Sequence, residues 1–93
     1  MKRVLLFALL LANLTVRSQV TGRVINTSNQ GVPFASITVK GTGTGTSTDS
    51  AGYFSLTVNK QLPVLLIISS VGYEQQDHVV REGKTTDILI RLQ

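Results

Sequence analysis

A few residues in this 93-residue chain have the types and spacing of chemical groups. Gly41-Thr42-Gly43-Thr44-Gly45-Thr46 has the look of a phosphate loop, whose backbone N–H groups would cradle a pyrophosphate. The dinucleotide version of that loop needs glycines spaced G-x-G-x-x-G at the start of a helix. Here the third glycine comes one residue early and Thr46–Asp49 follows without a helical pattern, so a glycine-bent strand or hairpin is expected. Gly83-Lys84-Thr85 copies the end of a P-loop, but the motif's first glycine would fall at position 78, which is His78. The phosphate reading fails at both places, and no cofactor is expected.

His78 is the single imidazole, and Asp77 stands next to it. Neighbours on a strand point to opposite faces, so Asp77 cannot orient His78 in the way a catalytic triad requires. The chain has no cysteine, which excludes disulfides, thiolate metal sites, cysteine nucleophiles and an acylated lipoprotein cysteine. Asp49, Asp77 and Asp87 lack the closely spaced oxygen ligands of a calcium loop. No catalytic residue and no metal ligand is assigned. Asn26-Thr27-Ser28 has the form of a glycosylation sequon, relevant only in a source that glycosylates exported proteins.

The charge has to be located before it is interpreted. Nine Lys and Arg against five Asp and Glu give a net charge of +4. Lys2 and Arg3 precede an apolar run from Val4 to Leu14, broken only by Asn13. As a helix these eleven residues would rise roughly 16 Å, about half of a ~30 Å hydrocarbon core, so they do not make a comfortable membrane span. A basic start, a leucine-rich centre and small residues at the exit describe a secretory signal peptide over 1–18. Val16 and Ser18 suit the positions before a cut at Gln19. Residues 19–93 then carry six basic and five acidic side chains, a net charge of +1 with no basic cluster. A nucleic-acid partner is not expected of such a domain, nor is a membrane span in the mature chain.

The mature chain reads as all-β. Val, Ile and Thr supply 25 of its 75 residues, and Ala35 and Ala51 are its only alanines. Branching at Cβ restricts χ1 in a helix and suits a pleated surface. Period-two alternation runs through Val20-Gly22-Val24, Ala35-Ile37-Val39, Phe54-Leu56-Val58 and Ile88-Ile90-Leu92. Val64–Ile68 is apolar without interruption and is expected to be a central strand covered on both faces. A weaker strand is expected over Gln75–Val80. Asp49-Ser50-Ala51-Gly52 reads as a turn in which the carboxylate accepts backbone N–H bonds and Gly52 supplies a positive φ; Gly72 does similar service before Tyr73. Six or seven short strands so spaced indicate a small antiparallel β-sandwich with a modest core and no deep pocket. Phe34 and Tyr53 fall opposite the aliphatic sets of their strands. They form either an exposed apolar or sugar-stacking face, or local packing against a strand end and a neighbouring side chain.

Three blocks in order carry a resemblance: Val20-Thr21-Gly22-Arg23-Val24; Gly31 through Thr42; and Gly45 through Leu56, which contains Thr48-Asp49-Ser50-Ala51-Gly52-Tyr53-Phe54. Together with Ser69-Ser70-Val71-Gly72-Tyr73-Glu74 they resemble the carboxypeptidase-regulatory-like domain over residues 20–92. The resemblance implies a seven-stranded antiparallel β-sandwich, prealbumin-like or Ig-like. It also implies a non-catalytic role. Such domains follow the catalytic domain of metallocarboxypeptidases, or stand between signal peptide and plug in SusC/RagA-type TonB-linked outer-membrane receptors of Bacteroidetes. The order seen here is similar to the second. Asn26 stands where the family commonly has Asp, and the 93 residues hold no plug, barrel or peptidase sequence. The expectation is an exported accessory or interaction module of the bacterial envelope, periplasmic, outer-membrane-associated or secreted, standing alone or left from a receptor gene. Its expected partner is an envelope protein held through an edge strand or a sheet face, with 41–48 and 86–92 as the candidate edges. A polysaccharide on Phe34 and Tyr53 is the alternative, and accessory service to a metallocarboxypeptidase a third reading.

Overall fold

A computed structural model describes residues 17–93, so of the expected leader all but Arg17 and Ser18 lies outside the described residues. Seven strands follow one another: β1 (Ser18–Ile25), β2 (Ser36–Val39), β3 (Gly45–Ser47), β4 (Tyr53–Val58), β5 (Val64–Ser69), β6 (Gln76–Val80) and β7 (Ile88–Arg91). They form two sheets, ordered β4-β1-β7 and β3-β2-β5-β6. Alternation decides the packing. Val20 and Val24, Ile37 and Val39, Phe54, Leu56 and Val58, and Ile88 and Ile90 all turn inward and fill a single core with Leu66 and Ile68. β1 starts one residue ahead of the expected domain boundary, with Ser18 paired to Val58.

The fold class is the β-sandwich expected, and three local features depart from the reading of the sequence. First, β1 and β7 run parallel, with Gly22 opposite Ile88 and Val24 opposite Ile90, while the other pairs are antiparallel. A tight hairpin forces antiparallel pairing only on strands that follow each other within one sheet. β7 arrives from the opposite sheet, so nothing local sets its direction.

Second, β5 is central but covered on one face only. Val64, Leu66 and Ile68 are buried, while Leu65 and Ile67 point outward and are half-buried. An uninterrupted apolar run does not say how many layers cover it.

Third, Phe34 does not belong to β2. It sits in the turn after Pro33 with φ at 56°, and 77 % of its surface is exposed. Backbone in the left-handed region is uncommon for a bulky side chain and costs about 1–2 kcal/mol. Thr48, the one buried polar residue among the described residues, holds this turn together. Its hydroxyl donates to Val32 O at 2.6 Å and accepts from Ala35 N at 2.8 Å, bridging the two ends of the turn. Backbone bonds from Phe34 N to Thr48 O and from Thr48 N to Ala35 O complete the clasp.

A second clasp joins the turn before β4 to the connection after β1. Asp49 Oδ1 accepts from Ala51 N and Tyr53 N, both at 2.9 Å, and Gly52 has φ at 88°. Gly52 lies against Gly31: a Cβ on Gly52 would meet Val24 O, and would stand 2.9 Å from both Gly31 Cα and Val32 N. A Cβ on Gly31 would run into the carbonyl of Ala51. Backbone touches backbone here, and there is no room for a methyl on either side.

Two stability predictions follow from these clasps. Thr48→Val keeps the side chain's size but leaves a buried C=O and a buried N–H unpaired, at about 1–3 kcal/mol for each. Urea denaturation should show a loss of about 2–6 kcal/mol, the sum over the two groups, with Thr48→Ser largely restoring it. Gly52→Ala combines a positive φ with a clash against backbone, and a fully folded, normally cooperative variant would contradict the packing described here.

Candidate interaction surfaces

The reactive side chains singled out in the sequence are not gathered into one place. Asp77 is exposed and His78 half-buried on the opposite side of β6, beside a shallow depression bordered by Lys84, Thr86, Asp87, Ile88 and Leu89. Among the described residues no group of three or more His, Asp or Glu side chains is placed to hold a metal ion. Gly41-Thr42-Gly43 forms the bend of the β2–β3 hairpin, closed by Thr42 N and Thr42 Oγ1 donating to Val39 O. Asn26 of the sequon is turned back into its own loop, where its Oδ1 accepts from Ser28 N and Gln30 N. Gly72, with φ at 89°, sits in the turn closed by Tyr73 N donating to Ser70 O.

The two outer faces of the sandwich carry different side chains. That of the three-stranded sheet has an internally bonded polar set beside the exposed Tyr53 and Leu89. Gln19 of β1 donates from Nε2 to Ser55 Oγ and accepts from Thr57 Oγ1 at 2.8 Å. Arg23 donates from Nε to Ala51 O at 3.0 Å, and its guanidinium carbon lies 4.9 Å from the centre of the Tyr53 ring. That spacing is within cation–π range, so Arg23 covers one side of the aromatic face. Register aligns Tyr53, Arg23 and Leu89 in one row across the three strands. A groove of about 260 Å³ runs beside them, bordered by Thr21 and Asp87.

The outer face of the four-stranded sheet is apolar along its middle. Leu65 and Ile67 of β5 lie beside Val79 of β6, which is 43 % exposed. At the end of the same face Val71 is fully exposed and shares a depression with Phe34, Ser36, Ser69 and Ser70. Phe34 and Tyr53 therefore stand on different outer faces and do not make one platform. What the sequence reading missed is that Phe34 and the fully exposed Val71 border one depression. The only hint was an unusual apolar residue between Ser70 and Gly72 in a predicted turn.

Of the two edges anticipated from sequence, the 41–48 segment contributes β3, an edge of the four-stranded sheet, and 86–92 contributes β7, an edge of the three-stranded sheet. β4 and β6 are the opposite edges. Among the described residues no helix is long and apolar enough to cross a membrane.

Comparison with known proteins is consistent with this architecture. The CarboxypepD_reg-like domain matches residues 20–93. TonB-dependent receptor P39 of Formosa agariphila is 35 % identical over 80 residues, 85 % of this chain and 8 % of the receptor. TonB-dependent receptor P26 of the same organism is 32 % identical over 76 residues, 82 % of this chain and again 8 % of the receptor. The chain thus spans less than a tenth of the length of these curated relatives. The matched region takes in all seven strands except the first two residues of β1, and with them both glycines of the backbone contact, Thr48 and the Asp49 turn. This chain belongs to the CarboxypepD_reg-like domain family.

Proposed function

We propose that the chain is a non-catalytic, exported accessory module of the bacterial envelope, working in association with an outer-membrane receptor. The observation that carries this reading is that both curated relatives are TonB-dependent receptors, each sharing the length of this domain. The leader-like residues 1–18 support export, with residues 19–93 as the working domain. The side-chain chemistry supports a binding role: nucleophilic catalysis needs a base within hydrogen-bond reach of its nucleophile and a third group to orient it. Here Asp77 and His78 lie on opposite sides of their strand. What the domain offers a protein partner is two sheet faces and four strand edges.

Two measurements test the reading. Expressed in a Gram-negative host, the chain should be recovered from the envelope fraction with Gln19 as its first residue by intact mass. A cytoplasmic product retaining Met1 would overturn export. Receptor P39 carrying residues 19–93 in place of its own matching segment should accumulate in the outer membrane at the parental level. If that chimera is lost while a receptor lacking the segment accumulates normally, the receptor-associated role fails.

A further inference from the structure

We infer that this domain is a tension-bearing link, in which the β1–β7 pair acts as a clamp against a pull between the chain entering β1 and the chain leaving β7. The topology supplies the geometry. β1 and β7 are the first and last of the seven strands, and they lie side by side in one sheet. They run parallel, so the chain enters at the Ser18 end of β1 and leaves at the opposite end, where Ile25 stands beside Arg91. The eight residues of β1 put these ends roughly 25 Å apart. In an antiparallel pair, entry and exit would lie at one end, and a pull would open the pair like a hairpin.

A pull along the strands cannot break this pair one row at a time. It drags β1 toward Ser18 and β7 toward Arg91, and the rows Gly22–Ile88, Arg23–Leu89, Val24–Ile90 and Ile25–Arg91 must slide together. The evenly spaced bonds of a parallel ladder share that load. Leu92 N, donating to Ile25 O at 2.8 Å, carries the ladder past the last row. Sliding also drags Ile88, Ile90 and Leu92 through the core, where all three are buried. β1 is held more firmly on its other flank, where six rows join it to β4, from Ser18–Val58 to Arg23–Tyr53. β7 is an edge strand whose strand partner among the described residues is β1 alone, so its four rows set the strength of the link. Beyond them stands a single bond, Glu74 N to Gln93 O, which parts without disturbing the core.

The direction of the pull therefore matters more than the stability of the fold. Forced unfolding is governed by the unfolding rate, and so by the barrier in the direction pulled. The free energy of unfolding is the same whichever residues are held. A pull across the strands at the Arg91 end peels β7 from β1 row by row and meets a low barrier. A pull from end to end meets all four rows at once. Neither export nor association with a receptor is needed for this behaviour.

Single-molecule pulling of the full chain tests the dependence on direction. The chain has no cysteine, so paired cysteines make unique handles. Gln19→Cys with Gln93→Cys pulls from end to end. Ser28→Cys with Gln93→Cys holds the loop after β1 and the residue beyond β7, at one end of the sandwich, and peels β7 away. All three residues are exposed, so both variants should stay close to the parental urea midpoint. The end-to-end variant should need roughly four times the force of the other, one share for each row loaded together. Equal forces in the two directions, or a lower force from end to end, overturn the proposal. So does an end-to-end trace in which β7 comes away first in a separate step at low force.

Discussion

Gly31 and Gly52 touch backbone to backbone, and the turn before β4 and the segment leading to β2 are arranged around that contact. Val24 N donates to Gly52 O, and Val24 O accepts from Val32 N, so one residue of β1 ties together the turn before β4 and the segment leading to β2. The closeness of these chains brings the Asp49 turn over the start of the second sheet. Thr48 is then near enough to bridge Val32 and Ala35. The two sheets themselves are held face to face by the single apolar core, with no disulfide to help. Two missing methyl groups allow a network of short backbone hydrogen bonds that larger residues would hold apart.

The same clasp explains why the faces differ. On the three-stranded side, the turn ends at Tyr53 and places it next to Arg23, whose Nε reaches the carbonyl of Ala51. That face spends its polar groups on itself. On the four-stranded side, Thr48 fixes a turn that pushes Phe34 into solvent. Apolar residues left on one face of a small sandwich are the ordinary means by which such a domain meets another protein.

Much of the fold was legible beforehand. Period-two alternation located the inward sets of β1, β2, β4 and β7, because each of these strands wets one face and buries the other. The Asp49 and Gly52 turn was legible from residue type, since a carboxylate two residues ahead of an N–H and a glycine at positive φ are local chemistry. The direction of β7 was not, because it depends on a crossing between sheets. Nor was the single-sided cover of β5, since an apolar run records what a strand tolerates and not what lies above it. Phe34 read as a strand residue because alternation continued through it, while the Pro33 turn that removes it from β2 is closed by a hydroxyl 14 residues away in sequence. That Phe34 and Val71 border one depression depends on how two loops sit beside each other, which neither loop's residues state.

By itself, then, the sequence determined that residues 19–93 are a small, nearly neutral, all-β domain, with its strands, its turns and its family. Those properties depend on residue type and near-neighbour spacing, which the chain carries in one dimension. Tertiary structure alone decided which strands share an edge, that β1 and β7 run parallel, and which apolar residues stay in contact with water. Each of these depends on how two sheets come together in space. The closest backbone approach beside β1, Gly52 against Gly31, involves two residues with no side chain by which to announce it.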